Sequence, residues 1–125
     1  MLRHASPALV DAAERKLRGE KPDSAVFRAA AEGLRGQPGG ERIDTVVLAC
    51  THFPLVEDEL REAFGPGVAF VHGAEGIARR VANLTQDNEF RRERPDFAVV
   101  TGSLEAAADL GPAFARYGFE EVVAF

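Results

Sequence analysis

The sequence contains a single cysteine, Cys50, which is followed directly by Thr51 and His52. A thiolate can attack an electrophile or exchange a proton, but a free thiol with a pKa of about 8.5 is mostly protonated at neutral pH. A helix N-terminus or a nearby cation lowers that pKa, and a Cys-Thr-His turn in front of a helix offers both. These residues predict acid/base or nucleophilic chemistry at Cys50, with a buried structural cysteine as the alternative.

The histidines are the other residues that could exchange protons or bind a metal. An imidazole with an unperturbed pKa of about 6.5 can gain or lose a proton near neutral pH, so His52 could assist the neighbouring thiol. His4, His52 and His72 have no spacing typical of metal ligands, and one cysteine excludes an intrachain disulfide. We therefore predict a free thiol and no metal site.

The composition is that of an ordinary globular protein. The chain has 125 residues, 46% of them hydrophobic, which is enough for one domain with a core. Fifteen basic and twenty acidic residues are interspersed and give a net charge of −5, so we expect no nucleic-acid partner. No apolar run approaches the roughly 20 residues that span a bilayer, and the N-terminal segment lacks the pattern of a secretion signal. We therefore expect a cytoplasmic protein without membrane contact.

The elements around Cys50 are predicted to place it at the end of a strand. Residues 45–49 form an apolar run without polar alternation, typical of a strand covered on both faces in a parallel sheet. A helix should begin near Pro54 and end at Gly65, where helix propensity falls. Ligands collect at the C-terminal ends of strands in open parallel sheets, so this turn is the predicted site.

The remaining elements predict an α/β fold with a mainly parallel sheet flanked by helices. Ser6-Pro7 should start a first helix that ends at Gly19, and Ser24 should cap a second that ends at Gly36. The further predicted elements are strands at 68–71, 97–100 and 121–125, a helix after His72-Gly73 with Ile77, Val81 and Leu84 on one face, a surface loop at 85–95, and a last helix from Ser103 to Gly118.

The segment DTVVLACTHFPL at 44–55 resembles the signature of glutamate racemases, in which a strand ends in a catalytic cysteine followed by threonine, histidine, an aromatic residue, proline and leucine. GPGV at 65–68 and EGIARRV at 75–81 also resemble later segments of that family. The similarity runs from about Ser6 to the C-terminus. It implies the C-terminal portion of a two-lobed racemase fold, in which 1–72 form the latter part of the second lobe and 73–125 complete the first.

The resemblance also implies a chemistry. These racemases interconvert L- and D-glutamate for peptidoglycan supply without a cofactor, and they use two thiols on opposite faces of the substrate. By resemblance Cys50 is one of these acid/base groups, Thr51 helps to hold the substrate, and His52 assists the thiol. Ser6-Pro7 resembles the family's Cys-Pro segment, which would make Glu14 a supporting residue of the site.

The second thiol of the family comes from the other half of the enzyme, and no segment here matches it. We therefore expect a partial chain that needs a missing N-terminal racemase half and does not racemise glutamate alone. Strands without neighbours would favour self-association, and a homodimer is a candidate assembly.

Two other functions fit the residues. A non-catalytic binding module derived from the racemase fold would explain the absent thiol. A cysteine hydrolase or transferase would use Cys50 and His52 as nucleophile and base. For that chemistry an i, i+2 pair makes a direct thiol–imidazole contact awkward, and the sequence shows no evident orienting acid.

Overall fold

The computed structural model describes residues 1–91 and 93–125, and its four strands form two separate parallel pairs. The α/β class and the parallel pairing are confirmed, but β1 pairs with β2 and β3 with β4, so the described residues hold no single continuous sheet. The elements are, in chain order, α1 (Pro7–Leu17), α2 (Ser24–Arg35), β1 (Thr45–Val47), α3 (Glu57–Phe64), β2 (Ala69–Val71), α4 (Ala74–Leu84), β3 (Phe97–Val100), α5 (Leu104–Ala107), α6 (Gly111–Arg116) and β4 (Glu121–Ala124), with short 3₁₀ helices at Gly40–Arg42, Phe53–Val56 and Ala108–Leu110.

The core lies between α1, α2, α3 and one face of the β1–β2 pair. Val56, in the 3₁₀ helix after Cys50, is fully buried, and Leu60 and Phe64 of α3 are nearly so. The Phe64 ring packs edge-on against Phe70 of β2, with ring centroids 5.6 Å apart. The buried residues of this core are Leu9, Ala12, Ala13, Phe27, Ala30, Ala31, Val46, Leu48, Val56, Leu60, Phe64 and Phe70.

The prediction that the strand before Cys50 is covered on both faces is wrong for this chain. Val46 is buried, whereas Val47 on the opposite face is 65% exposed and its register partner Val71 is 45% exposed. Alternate residues of a strand point to opposite faces, so the apolar run describes a strand with only one face covered by the described residues. The strand also ends at Val47, although Leu48 still donates a hydrogen bond to the carbonyl of Val71 at 2.9 Å.

The first two helices begin and end near the predicted residues. Pro7 occupies the first turn of α1, as predicted. Ser24 is not the cap of α2: the N-cap is Asp23, whose carboxylate accepts a hydrogen bond from the backbone N–H of Ala25 at 2.8 Å, and Ser24 is the first helical residue. Both residue types cap helices well, and the extended backbone of Asp23 places its side chain correctly.

The C-terminal part of the chain contains the predicted elements but little core. Ile77, Val81 and Leu84 lie on α4 and are 54–66% exposed, and no residue of this helix is buried. The last predicted helix is interrupted and forms α5, a 3₁₀ turn and α6. Pro112 accounts for the interruption, because it has no N–H and its ring clashes with the carbonyl four residues before it.

We expect Leu60→Ala to lower the free energy of unfolding by about 2–5 kcal/mol, because it leaves a cavity beside Val56 and Phe64 in the core. Ile77→Ala removes a similar side chain from an exposed helix face and should change the same quantity by no more than about 0.5 kcal/mol. Urea unfolding followed by circular dichroism measures both. Equal losses in the two variants would contradict the placement of the core.

Candidate active site

Cys50 lies in the turn that follows β1, as predicted. The residues after it fold back at once: Phe53 donates a backbone hydrogen bond to the Cys50 carbonyl at 3.3 Å, and Leu55 donates one to His52 at 3.0 Å. Pro54 fits the first turn of the 3₁₀ helix because that position needs no N–H donor. The backbone N–H groups of His52 and Phe53 in this turn lie close to the thiol.

Cys50 and His52 are in contact. The Cys50 Sγ is 3.9 Å from the His52 Nδ1, and the thiol is partly exposed. A hydrogen bond from the backbone N–H of His52 is the main cause that lowers the pKa of Cys50, helped by the imidazole and by the N–H of Phe53, while burial opposes the shift. The tight turn brings the two side chains to the same side, and the length of the contact agrees with the expectation that a direct hydrogen bond in an i, i+2 pair is awkward.

Glu14 of α1 contacts the other side of the imidazole. Its Oε1 is 3.0 Å from the His52 Nε2, although the two residues are 38 positions apart. This hydrogen bond is the largest cause that raises the pKa of His52, and the contact with Cys50 adds to it. Glu14, which the resemblance implied as a supporting residue, is thus an orienting acid for His52, although no such acid was evident for the hydrolase alternative.

The contacts define what the two nitrogens of His52 do. With Nε2–H donating to the Glu14 carboxylate, Nδ1 is free to accept a proton from the thiol. The resulting imidazolium would donate to a carboxylate on one side and face a thiolate on the other. We refer to Cys50, His52 and Glu14 together as the acid/base unit.

Arg18 is a residue of this site that sequence reasoning missed. Its Nη1 donates to Glu14 Oε2 at 2.8 Å, on the carboxylate oxygen that His52 does not use. This contact is the largest cause that lowers the pKa of Glu14, followed by the hydrogen bond with His52. The i, i+4 spacing of Glu14 and Arg18 on a predicted helix was the available signal.

The other candidate residues stand at the edge of this arrangement. Thr51 is exposed at the tip of the same turn, beside Cys50. His72, which follows β2, is exposed; it accepts a hydrogen bond from the N–H of Ala74 at 3.3 Å, and its Nε2 is 3.6 Å from Glu57. Within residues 1–91 and 93–125, no group of three or more His, Cys, Asp or Glu side chains is placed to hold a metal ion. In the same described part of the chain, no helix is long and apolar enough to cross a bilayer.

Known proteins resemble this chain over almost all of its length. It is 50% identical over 123 residues to a glutamate racemase of Sphingopyxis alaskensis, a match that covers 98% of the chain and 46% of that protein. A glutamate racemase of Shewanella pealeana is 34% identical over 124 residues, 94% of the chain and 44% of its own length. The chain is a homologue of the glutamate racemases. No family model matches it.

Solved racemase structures share the fold. The structure of Escherichia coli glutamate racemase in complex with L-glutamate and the activator UDP-MurNAc-Ala superposes with a TM-score of 0.83 at 31% identity, covering 97% of this chain and 46% of that one. The racemase isoform RacE1 of Bacillus anthracis gives a TM-score of 0.65 at 25% identity. The chain spans about half the length of the racemases it matches. That share agrees with the predicted C-terminal portion.

We expect His52→Asn to slow the alkylation of Cys50 by iodoacetamide modestly at neutral pH, because the backbone N–H of residue 52, the main cause of the lowered pKa of the thiol, remains. The pKa of the native thiol is lowered, so thiolate persists to lower pH than in an ordinary cysteine, and removal of the imidazole moves the midpoint of the rate profile upward. The measurement is the alkylation rate against pH, followed by mass spectrometry.

His72→Asn is the matched control, because His72 follows the neighbouring strand and makes no contact in the acid/base unit. Its profile should coincide with that of the unsubstituted chain. A profile for His52→Asn that also coincides would mean that the contact with Nδ1 does not stabilise the thiolate.

Proposed function

We propose that this chain supplies one half of a glutamate racemase active site, in which Cys50 is one of two acid/base groups that exchange the α-proton of glutamate. The observation that carries this proposal is the acid/base unit itself, a thiol with its own proton acceptor and orienting carboxylate, in a racemase homologue. The E. coli racemase with bound L-glutamate, which superposes on the chain, supports glutamate as the substrate.

The proposed step is a proton exchange at carbon. The Cys50 thiolate takes the α-proton from one face, so the C–H bond breaks, an S–H bond forms, and the electron pair stays on the substrate as a carbanion conjugated with its carboxylate. A second thiol then returns a proton to the opposite face and inverts the centre. His52 and Glu14 keep the Cys50 sulfur able to hold or release a proton near neutral pH. No cofactor takes part, and Thr51 helps to hold the substrate at the exposed tip of the turn.

The second thiol has to come from another polypeptide segment, because Cys50 is the only cysteine of this sequence. We infer that a segment equivalent to the unmatched half of the racemases provides it. In this scheme 1–72 belong to one lobe and 73–125 to the other. The exposed apolar residues of both parts are candidates for burial against the partner: Val47, Val71, Ile77, Val81, Leu84 and Val99.

The setting of the activity follows from the same homology. The product, D-glutamate, would feed peptidoglycan precursors in the cytoplasm and so serve cell-wall biogenesis and cell shape. A homodimer remains a candidate assembly for the completed enzyme.

Hydrolysis or group transfer with Cys50 as the nucleophile is the second candidate function. The contact of a thiol with an imidazole that a carboxylate orients is an arrangement suited to nucleophilic catalysis. The racemase homology favours proton exchange over it. Turnover of an activated acyl ester that stops in Cys50→Ala would support the hydrolase instead. A binding module without activity is the outcome if neither reaction occurs.

We expect the chain alone to leave the α-proton of L-glutamate unexchanged in D₂O. A mixture with the half of the Sphingopyxis alaskensis racemase that the chain does not match should incorporate deuterium at the α-carbon and form D-glutamate. Proton NMR and chiral chromatography measure the two products.

Two variants make this experiment decisive. Cys50→Ala in the mixture should abolish the formation of D-glutamate, and His72→Asn should preserve it. Formation of D-glutamate by the chain alone that Cys50→Ala abolishes would show that a second thiol is not needed. A stable complex of the two halves that exchanges no proton would contradict the proposed function.

A further inference from the structure

Arg18 ends α1, and its guanidinium contacts Glu14 twice. The Nη1 atom donates to the Glu14 backbone carbonyl at 3.2 Å and to Glu14 Oε2 at 2.8 Å. One donor group therefore ties the carboxylate to the backbone of its own residue. A glutamate side chain has several rotatable bonds, and this double contact selects one arrangement of them.

The backbone that carries Arg18 is itself fixed. Gly19 has a φ of +85°, and the chain closes α1 with hydrogen bonds from Gly19 to the Lys16 carbonyl and from Glu20 to the Arg15 carbonyl, both at 3.0 Å. This pair of bonds is the Schellman motif, for which a glycine in the left-handed region is the usual solution. A cation at this end of a helix is also favoured by the partial negative charge of the last carbonyls.

The two oxygens of the Glu14 carboxylate consequently have different partners. Oε2 faces Arg18 and Oε1 faces His52 Nε2 at 3.0 Å. We propose that Arg18 is a positioning residue that holds the Glu14 carboxylate so that Oε1 faces His52. Its effect on turnover rests on the proposed function, whereas its effect on the imidazole does not.

A different role for Arg18 would have the opposite consequence. If Arg18 only neutralised Glu14, its positive charge would oppose the imidazolium, and removing it would raise the pKa of His52. If Arg18 positions the carboxylate, removing it lets Oε1 leave Nε2, and the pKa of His52 falls. The charged groups that face His52 are Cys50 and Glu14, and Arg18 faces Glu14 from the same helix. The sign of the change therefore separates the two roles.

The test is a proton NMR titration of His52 in the 125-residue chain and in Arg18→Met. Positioning predicts that the His52 midpoint falls in Arg18→Met and that Arg18→Lys restores most of it, because a lysine at the same spacing still reaches the carboxylate. The far-UV circular dichroism spectrum of each variant should match that of the unsubstituted chain and report that it is still folded. An unchanged or raised His52 midpoint would overturn the proposal.

Arg61→Met is the matched control, because Arg61 pairs with Glu57 at the same i, i+4 spacing on α3, outside the acid/base unit. It should leave the His52 midpoint unchanged. In the reconstituted enzyme, Arg18→Met should lower kcat several-fold with little change in KM. A lowered His52 midpoint without any racemisation in the mixture would contradict the proposed function alone, and racemisation with an unchanged midpoint would contradict the positioning role alone.

Discussion

The acid/base unit depends on the close packing of α1 against the 3₁₀ helix that follows Cys50. Ala12 and Ala13 are buried on the inner face of α1, and Val56 on the facing 3₁₀ helix is fully buried. Small side chains let two backbones approach, so Glu14, next in sequence after Ala13, reaches the imidazole with a hydrogen bond of 3.0 Å. A larger residue at either alanine would push α1 outward and break this contact before it affected the turn around Cys50.

Charges of alternating sign run outward from the thiol through His52 and Glu14 to Arg18. The lowered pKa of Glu14, caused first by Arg18, means that the carboxylate stabilises the fold above its unfolded pKa and loses that effect as the pH falls. The raised pKa of His52, caused first by Glu14, means that the imidazolium stabilises the fold below its unfolded pKa and loses that effect as the pH rises through the folded value. The ionised pair therefore contributes most between these two limits, from mildly acidic to near-neutral pH. About a third of each side chain is exposed, so solvent reduces its effect on stability.

Local patterns predicted the elements around Cys50 well but not the contacts between distant ones. The turn after β1, the end of α3 at Gly65 and the strand at Phe97–Val100 follow from residue types within a few positions. The contact between Glu14 and His52 joins residues 38 positions apart. The helical spacing of apolar residues in α1 does not predict which turn of the helix lies against the loop after β1. Only the family resemblance pointed to Glu14, and its role in catalysis stays a prediction.

The errors have physical causes of the same kind. An apolar run indicates that a strand can be buried, but it does not indicate which polypeptide covers it. The run at 45–49 therefore predicted a strand covered on both faces, whereas Val47 is exposed. The same holds for the apolar face of α4. Arg18 was missed because an Arg at the end of a helix is ordinarily a solvated residue. Arg18 has a proposed positioning role only because His52 contacts the other oxygen of the Glu14 carboxylate.

The two parts of the chain differ in how many hydrophobic residues they bury. The main core contains residues from Leu9 to Phe70, whereas after residue 73 only Ala107 and Ala113 are buried hydrophobic residues of the described chain. The acid/base unit lies wholly within the well-packed part and needs no side chain from the rest. The proposed division into lobes agrees with this difference: the acid/base unit packs within 1–72, whereas 73–125 leave most of their apolar side chains exposed, and in the first part Val47 and Val71 are exposed as well.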